Sequence, residues 1–143
     1  MFLPTALSAQ RVADVQPKVR LNHIAVYVYN LEKSADFYKK IVQLSPIPNP
    51  FNDSLHEWFS IGGAAQLHLI KGAVNVSEHI KNSHICFSVP SVDSFITNLK
   101  RNRIGFTNWA GDLDTTTTRV DGVKQIYFKD PDGYWIEVND NFN

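Results

Sequence analysis

The strongest constraint on the fold is an internal repeat, because residues 20–71 and 82–140 pass through the same order of predicted elements. Each unit follows the order strand, helix, loop, strand and strand, on the basis of its apolar periodicity and turn residues. The first strand of each unit begins its polar face with a histidine, and these residues, His23 and His84, are 61 positions apart. A tandem pair of such units predicts an α+β fold, in which one helix covers one face of each sheet and the other face is free to line a cleft.

Local signals indicate where the elements begin and end. Asn30 is the predicted N-cap of a helix over residues 31–44, which ends before a proline-rich segment that is predicted to be a loop. Pro90 or Ser91 is predicted to begin the second helix, and Gly105 is predicted to close it. The predicted strands cover residues 21–28, 57–61, 65–70, 84–89, 125–128 and 134–138.

A turn in the second unit leads directly to an acidic residue on a strand. Asp130-Pro131-Asp132-Gly133 places proline where a φ of about −65° is favoured and glycine where a positive φ is favoured, so the chain is predicted to reverse there. Glu137 lies near the middle of the strand that follows, on its less apolar face. An isolated glutamate at such a place is most simply a solvent-facing residue, so its significance depends on polar residues at equivalent places.

Four polar side chains stand opposite the more apolar face of their own strand, on the first and last predicted strand of each unit. They are His23, His68, His84 and Glu137. A histidine on a strand is more often a surface residue than a metal ligand, but four donors at equivalent places in two repeats favour a common site. If the helices cover the apolar faces, all four side chains point into one concavity, where imidazole nitrogen and carboxylate oxygen suit a divalent first-row metal ion.

The remaining histidines and several aromatic residues receive other interpretations. His56 and His79 have loop-like surroundings, and we predict that both are solvated. Tyr27, Trp58 and Trp135 lie on predicted strands and are candidate walls of a substrate pocket, although aromatic residues on strands more often serve packing.

Composition excludes several classes of function. A chain of 143 residues with 43% hydrophobic and 20% charged residues is typical of one globular domain. Basic and acidic residues balance at 14 each, so net charge favours neither nucleic acid nor an anionic membrane, and the predicted partner is a small molecule.

No apolar run approaches the length of a membrane span. Cys86 is the single cysteine, which permits neither an internal disulfide nor a cysteine-based zinc cluster and leaves histidine and carboxylate as the ligand set.

The N-terminal residues receive a separate prediction. Residues 1–19 are predicted to form a tail outside the single domain of residues 20–143. The tail ends its apolar part in small residues, as a secretory signal does, but it has no basic start and its apolar run is short. The expected location is the cytoplasm, and the alternative is export to the periplasm if residues 1–9 are the end of a signal peptide.

Three motifs accompany the repeat, and together with it they indicate a family resemblance. They are the helix phrase Leu31-Glu32-Lys33-Ser34-Ala35-Asp36-Phe37-Tyr38, the strand over residues 84–89, and the Asp130-Pro131-Asp132-Gly133 turn that leads to Glu137. From about residue 20 to residue 140, the chain resembles the vicinal oxygen chelate superfamily. That group includes glyoxalase I, bleomycin-resistance proteins, fosfomycin-resistance enzymes, methylmalonyl-CoA epimerase and extradiol dioxygenases. The motifs are specific for the superfamily and do not identify the reaction.

The resemblance implies a fold, a metal site and a partner. The implied fold is a pair of βαβββ modules that form a U-shaped cleft of mixed β-sheet, with helices on the outer face. Metal ligands in the family lie on the first and last strand of each module, and the corresponding positions here are His23, His68, His84 and Glu137. The resemblance also implies one divalent metal ion (zinc, nickel, manganese, cobalt or iron), a small-molecule substrate and a homodimer. Modules of this family pair both within one chain and across a dimer, so both arrangements remain open.

The ligand types imply a metal-dependent lyase or isomerase of the glyoxalase type, which acts through a metal-stabilised enediolate. Glu137 is the candidate base. Glyoxalase I usually has a carboxylate at the place of His68, so proton transfer in this protein would need His68 or a bound water to take part.

Two alternative functions remain open. In a non-haem iron ring-cleaving dioxygenase, His23, His84 and Glu137 would form a triad of two histidines and one carboxylate. In a metal-free binding or resistance protein, the same cleft would sequester a small aromatic compound. Fosfomycin-resistance enzymes carry an arginine several residues beyond the last ligand, and this sequence has no basic residue after Lys129, which argues against phosphonate binding of that kind.

Overall fold

The computed structural model of the protein describes residues 18–142. Within this range there are two helices, Leu31–Lys40 (α1) and Val92–Arg101 (α2), and no helix there is long and apolar enough to cross a membrane. The strands β1 to β8, in chain order, are His23–Val28, Ser45–Ile47, His56–Ser60, Gln66–Lys71, His84–Ser88, Thr117–Thr118, Lys124–Lys129 and Trp135–Asn139. Most of the predicted N-terminal tail lies outside the described residues.

The strands form two sheets of four, with the orders β1-β4-β3-β2 and β5-β8-β7-β6. In each sheet, the first and last strand of a unit pair in parallel, and the other neighbours pair antiparallel. We call residues 20–71 module 1 and residues 82–140 module 2. Both modules have the βαβββ order, so the predicted α+β fold of two mixed-sheet modules is confirmed.

Several elements differ from the sequence-based expectation, including the short strand β6, which was not among the predicted strands. α1 ends at Lys40 rather than near residue 44, and Gln43 has a left-handed φ of 67°. The proline-rich segment that was expected to be a loop contains β2, which lies at the edge of its sheet, where a proline without an N–H is tolerated. α2 ends at Arg101, four residues before Gly105, and Arg103 beyond it has a φ of 56°.

Both helices begin at capped positions. The side chain of Asn30 accepts the backbone N–H of Lys33 at 3.0 Å, as the sequence predicted. The side chain of Ser91 accepts the backbone N–H of Ser94 at 3.2 Å, which identifies Ser91 rather than Pro90 as the cap. These caps fix the start of each helix relative to the strand before it.

One hydrophobic core is shared by the two modules. Val26 and Leu69 contribute to it from the first sheet, and Ile136 contributes from the second. Across the boundary, the ring of Phe37 on α1 lies 6.2 Å from the ring of Phe128 on β7. Because side chains alternate along a strand, the polar face of each sheet is turned away from this shared core.

The turn between β7 and β8 joins the two modules through buried carboxylates. Asp130 accepts the hydroxyl of Tyr38 at 2.8 Å. Asp132 accepts the hydroxyl of Ser34 at 2.5 Å and the backbone N–H of Tyr29 at 2.6 Å. Burial raises the pKa of Asp130. A buried carboxylate is costly without hydrogen-bond donors, so these bonds fix the position of α1 against the turn of the other module.

Gly133 closes this turn, and two constraints at its position favour glycine. Its φ is 88°, in the region that favours glycine. A Cβ atom at this position would lie 2.2 Å from the carbonyl oxygen of Ser77, in the segment that links the modules. The turn therefore needs glycine both for its backbone conformation and for the close approach of the linking segment.

We expect Gly133→Ala to destabilise the protein more than Gly122→Ala. The two glycines have matching φ angles of 88° and 87°, so each substitution carries a similar backbone cost of about 1–2 kcal/mol. Only at Gly133 does the new Cβ overlap a neighbouring atom, because Gly122 has nothing within 4 Å. The overlap is expected to add about 1–3 kcal/mol to the loss in free energy of unfolding, measured by urea denaturation. Equal losses would contradict the close approach.

Candidate metal centre

Module 1 places two of the predicted ligands on neighbouring parallel strands. His23 lies on β1 and His68 on β4, and the register pairs Ala25 with His68. The ring centroids of His23 and His68 are 6.0 Å apart. Trp58 lies directly opposite His68 on β3 and stacks on its ring at 3.7 Å with an interplanar angle of 12°. Two imidazoles and an indole therefore line the polar face of this sheet.

The environment of His68 favours the neutral imidazole that binds metal ions. The residue is 6% exposed, and within the described chain its Nε2 atom has no hydrogen-bond partner. Burial lowers the pKa of His68, and the nearby imidazoles of His56 and His23 lower it further. A neutral ring keeps a lone pair available, and a buried nitrogen without a partner is the exception in folded proteins.

His56 belongs to the same polar face, contrary to the prediction that it is a solvated loop residue. It is the first residue of β3, it is half-buried, and its ring lies 5.0 Å from that of His68. Its Nδ1 atom lies 2.8 Å from both carboxylate oxygens of Asp53. The sequence did contain a signal, because His56 and Trp58 are two positions apart and share a face of one strand.

The segment before β5 folds over the side chain of Trp135. His79 is half-buried and stacks on the ring of Tyr134 at 3.9 Å, so the prediction that it is solvated is corrected as well. Its backbone carbonyl accepts the indole N–H of Trp135 at 2.9 Å. The ammonium groups of Lys81 and Lys129 lie 4.7 Å and 5.0 Å from the centre of the same indole.

Module 2 brings the other two predicted ligands into direct contact. Nε2 of His84 on β5 lies 3.1 Å from Oε2 of Glu137 on β8. Nδ1 of His84 lies 2.8 Å from the backbone carbonyl oxygen of Lys81, which is the partner that holds an imidazole in one orientation. With Nδ1 directed to that carbonyl, Nε2 is the ring atom that is turned to Glu137.

The carboxylate of Glu137 is held in the ionised form. It accepts the hydroxyl of Tyr127 at 2.7 Å and the amide of Asn139 at 2.9 Å. Burial raises the pKa of Glu137, but hydrogen bonds from Asn139, Tyr127 and Cys86 outweigh that effect, so its pKa is lowered. Burial and the neighbouring Glu137 raise the pKa of the Cys86 thiol to about 12, which keeps this cysteine protonated.

The three predicted pocket walls differ in accessibility. Tyr27 is half exposed on the His23 face of β1, whereas Trp58 is buried against His68. Trp135 is half-buried on the Glu137 face of β8. All three lie on polar faces, and their role as substrate contacts stays a prediction.

The four predicted ligands lie in two separate pairs. Residues 18–142 contain no group of three His, Cys, Asp or Glu side chains placed to hold one metal ion. A common site for all four, which the sequence leaves open within one chain or across a dimer, stays a prediction. The two pairs are separate because both sheets turn their apolar faces toward the shared core, so that the histidine pair and the His84–Glu137 pair occupy faces turned away from it.

Each pair fits half of a coordination shell. His23 and His68 offer imidazole nitrogens, and Nε2 of His68 is buried and has no partner in the part of the chain that the structure describes. His84 and Glu137 offer a nitrogen and an ionised carboxylate oxygen. Three nitrogens and one oxygen are a ligand set for a divalent first-row metal ion, and the outer hydrogen bonds to Lys81, Tyr127 and Asn139 are of the kind that orient such ligands.

Comparison with known proteins agrees with the fold. The profile of the Glyoxalase/Bleomycin resistance protein/Dioxygenase superfamily matches residues 20–138. A "Metallothiol transferase FosB" from Shouchella clausii is 31% identical over 123 residues, which cover 83% of this chain and 78% of that protein. A "Lactoylglutathione lyase" from Pseudomonas putida is 27% identical over 149 residues, which cover 82% of each chain.

Solved structures show the same fold. "Oxidase ChaP-H2" superimposes with a TM-score of 0.72 at 19% identity, over 87% of this chain and 95% of that one. A lactoylglutathione lyase from Agrobacterium tumefaciens superimposes with a TM-score of 0.64 at 19% identity, over 87% and 95%. The resemblance drawn from the sequence motifs is confirmed, and the chain belongs to the Glyoxalase/Bleomycin resistance protein/Dioxygenase superfamily.

Proposed function

We propose that the protein is a divalent-metal-dependent lyase or isomerase of the glyoxalase type that acts on a small oxygenated molecule. The observation that carries the proposal is the complementarity of the two polar faces, one with two imidazoles and the other with an imidazole and a carboxylate. The Nε2 atom of His68 has no hydrogen-bond partner among residues 18–142, which supports a ligand that binds there.

The complete centre in this proposal contains residues from two copies of the chain. His23 and His68 of one copy would meet His84 and Glu137 of the second copy. The sheets support this arrangement, because β1 and β5, which carry His23 and His84, lie at the edges of their sheets, and β4 with His68 is the neighbour of β1. A two-fold interface that brings module 1 of one copy against module 2 of the other would create two equal sites.

The chain's own residues would perform the proton transfer. A bound divalent ion would supply the positive charge that stabilises an enediolate formed next to a carbonyl group. Glu137 is the proposed base, since its lowered pKa leaves the carboxylate ionised and able to accept a proton. Tyr127 and Asn139 hold that carboxylate in position. The neutral imidazole of His68 is the proposed second group for proton transfer.

The proposed function predicts that the protein binds a divalent metal ion. The wild-type protein is expected to bind one divalent ion per chain, measured by equilibrium dialysis against Zn²⁺ or Ni²⁺ followed by elemental analysis. His68→Ala and Glu137→Ala are each expected to weaken binding by more than about 100-fold, because even outer partners of metal ligands contribute about 10- to 100-fold. His79→Ala is the matched control, since its imidazole stacks on Tyr134 and is not a proposed ligand.

The same titration separates the proposal from a metal-free binding protein. If the wild-type protein takes up no divalent ion, or if both alanine variants bind as the wild type does, the metal-dependent function is contradicted. Tyr127→Phe gives an intermediate test, because it keeps all proposed ligands and removes the hydroxyl that donates to Glu137 and accepts from Gln125. It is expected to weaken metal binding by about 10- to 100-fold.

The proposed function also predicts that Glu137 is required for turnover. With methylglyoxal and a thiol as substrates, Glu137→Gln is expected to lower kcat by about 100-fold or more, because general base catalysis contributes about 10²–10⁴. The His79→Ala variant is expected to keep the wild-type rate. Iron-dependent oxygen uptake with catechol, without turnover of methylglyoxal, would instead identify a ring-cleaving dioxygenase.

A further inference from the structure

Module 1 presents an exposed aromatic ring on a loop that is tightly held. Phe51 is 56% exposed, and its ring lies 4.8 Å from His56, 6.2 Å from Trp58 and 6.0 Å from His68. Asn49 holds this loop, because its side chain accepts the N–H of Phe51 at 2.9 Å and donates to the backbone carbonyl of His56 at 3.1 Å. The loop thus presents an apolar ring to solvent beside the proposed centre.

Asp53 completes the same loop. Its carboxylate accepts the N–H of Leu55 at 2.9 Å, and its backbone carbonyl accepts the side chain of Asn49 at 3.1 Å. The pair Asn49 and Asp53, four residues apart, therefore closes the loop around Phe51 without burying it. Asx hydrogen bonds of this kind fix backbone conformation locally.

In module 2, an Asn–Asp pair 59 residues further along closes a similar loop, although this loop precedes β6 whereas the loop of Phe51 follows β2. Asn108 donates to the carboxylate of Asp112 at 2.8 Å, and its side-chain oxygen accepts the N–H of Gly111 at 2.9 Å. The exposed aromatic residue on this loop is Trp109, which is 46% exposed and lies 5.5 Å from the ring of Tyr127. Tyr127 is the residue that bonds Glu137, so this ring also stands beside the proposed centre.

The loop of Trp109 has two further anchors. Its backbone N–H donates to the hydroxyl of Thr117 at 3.0 Å. The ammonium group of Lys81 donates to the carbonyls of Asn108 and Trp109 at 3.1 Å and 3.2 Å. Both aromatic rings are therefore preorganised and exposed, which is the arrangement that provides contact area at low cost in conformational entropy.

A buried donor beside Phe51 also lacks a partner. The indole Nε1 of Trp58 makes no hydrogen bond within the described chain, although the side chain is only 7% exposed. An unpaired N–H at such a place destabilises the unliganded protein, and an acceptor oxygen from a ligand would remove that cost. This observation is independent of the two exposed rings.

We propose that Phe51 and Trp109 are specificity-determining substrate contacts, and that they select a planar aromatic group whose neighbouring oxygen accepts the N–H of Trp58. The inference rests on the proposed function, because the two loops belong to the two polar faces that the composite site brings together. Phe51 of one copy and Trp109 of the other then flank the aromatic group of the same substrate. Rings in such contacts prefer offset or edge-to-face geometry at about 4.5–7 Å.

Two α-hydroxy acids serve as probes that differ only in the ring. Mandelate carries a planar phenyl group, and hexahydromandelate carries a saturated ring of similar size on the same pair of neighbouring oxygens. Dissociation constants are measured by ¹⁵N NMR titration of the full-length, Zn²⁺-equilibrated protein, in which the indole N–H groups of Trp58, Trp109 and Trp135 report binding. Mandelate is expected to bind roughly 3- to 10-fold more tightly, the range that aromatic contacts supply.

Leucine variants test whether the two loops cause the preference for the aromatic probe. Phe51→Leu and Trp109→Leu are each expected to reduce the ratio of the two dissociation constants toward one. Leu55→Ala and Leu113→Ala are the matched controls, because they remove exposed aliphatic side chains from the same two loops and should leave the ratio unchanged. A wild-type ratio of one, no saturable binding of either probe, or an unchanged ratio in both leucine variants would overturn the proposal.

Trp58→Phe tests the polar contact separately. It keeps an aromatic ring against His68 but removes the N–H, so mandelate binding is expected to weaken by roughly 2- to 10-fold. Thermal stability of the unliganded variant is expected not to fall, since the lost N–H has no acceptor among the described residues. Unchanged binding would overturn the role of Trp58.

The metal titration distinguishes this proposal from the function on which it rests. Retained aromatic preference in a protein that binds no divalent ion would contradict the metal-dependent reaction and leave the aromatic contacts standing. Metal binding together with a ratio of one would contradict the aromatic contacts alone.

Discussion

Two buried carboxylates in one turn determine how this molecule is arranged. Asp130 and Asp132 of module 2 bind Tyr38 and Ser34 on the helix of module 1, over a sequence separation of 92 and 98 residues. Because α1 is fixed against the other module, the helix-covered faces of both sheets share one core. The polar faces are then turned away from that core, and this geometry divides the four candidate ligands into two pairs. The proposal that a second copy of the chain completes the centre follows from the same contact.

The sequence predicted most elements of each module but not how the two modules pack together. Period-two alternation correctly placed His84 and Glu137 on one face of adjacent strands, and their side chains are in contact. The same periodicity carries no information about which surfaces of two modules meet, since that depends on polar contacts between distant residues such as Ser34 and Asp132. The sequence identified the Asp130-Pro131-Asp132-Gly133 turn but not its partners. β2 was missed because proline is a poor strand residue except at a sheet edge.

The two halves of the candidate site differ in how completely their polar atoms are hydrogen-bonded. Glu137 has its hydrogen-bond partners in place, so its carboxylate is ionised and oriented before any ligand arrives. His68 and Trp58 instead carry buried nitrogens without partners in the described chain. Unsatisfied groups of this kind lower the stability of the unliganded protein, and functional sites are where such costs are retained. The arrangement is consistent with a site completed by a second copy, a metal ion and a substrate together.

Subunit mixing tests the composite centre most directly. A chain with His68→Ala keeps an intact module 2 face, and a chain with Glu137→Ala keeps an intact module 1 face. When the two variants are refolded together, half of the dimers are mixed and each mixed dimer regains one complete site. The account therefore predicts recovery of about one quarter of the wild-type metal sites, although neither variant alone binds metal. A mixture that binds no more metal than the separate variants would contradict a centre built from two chains.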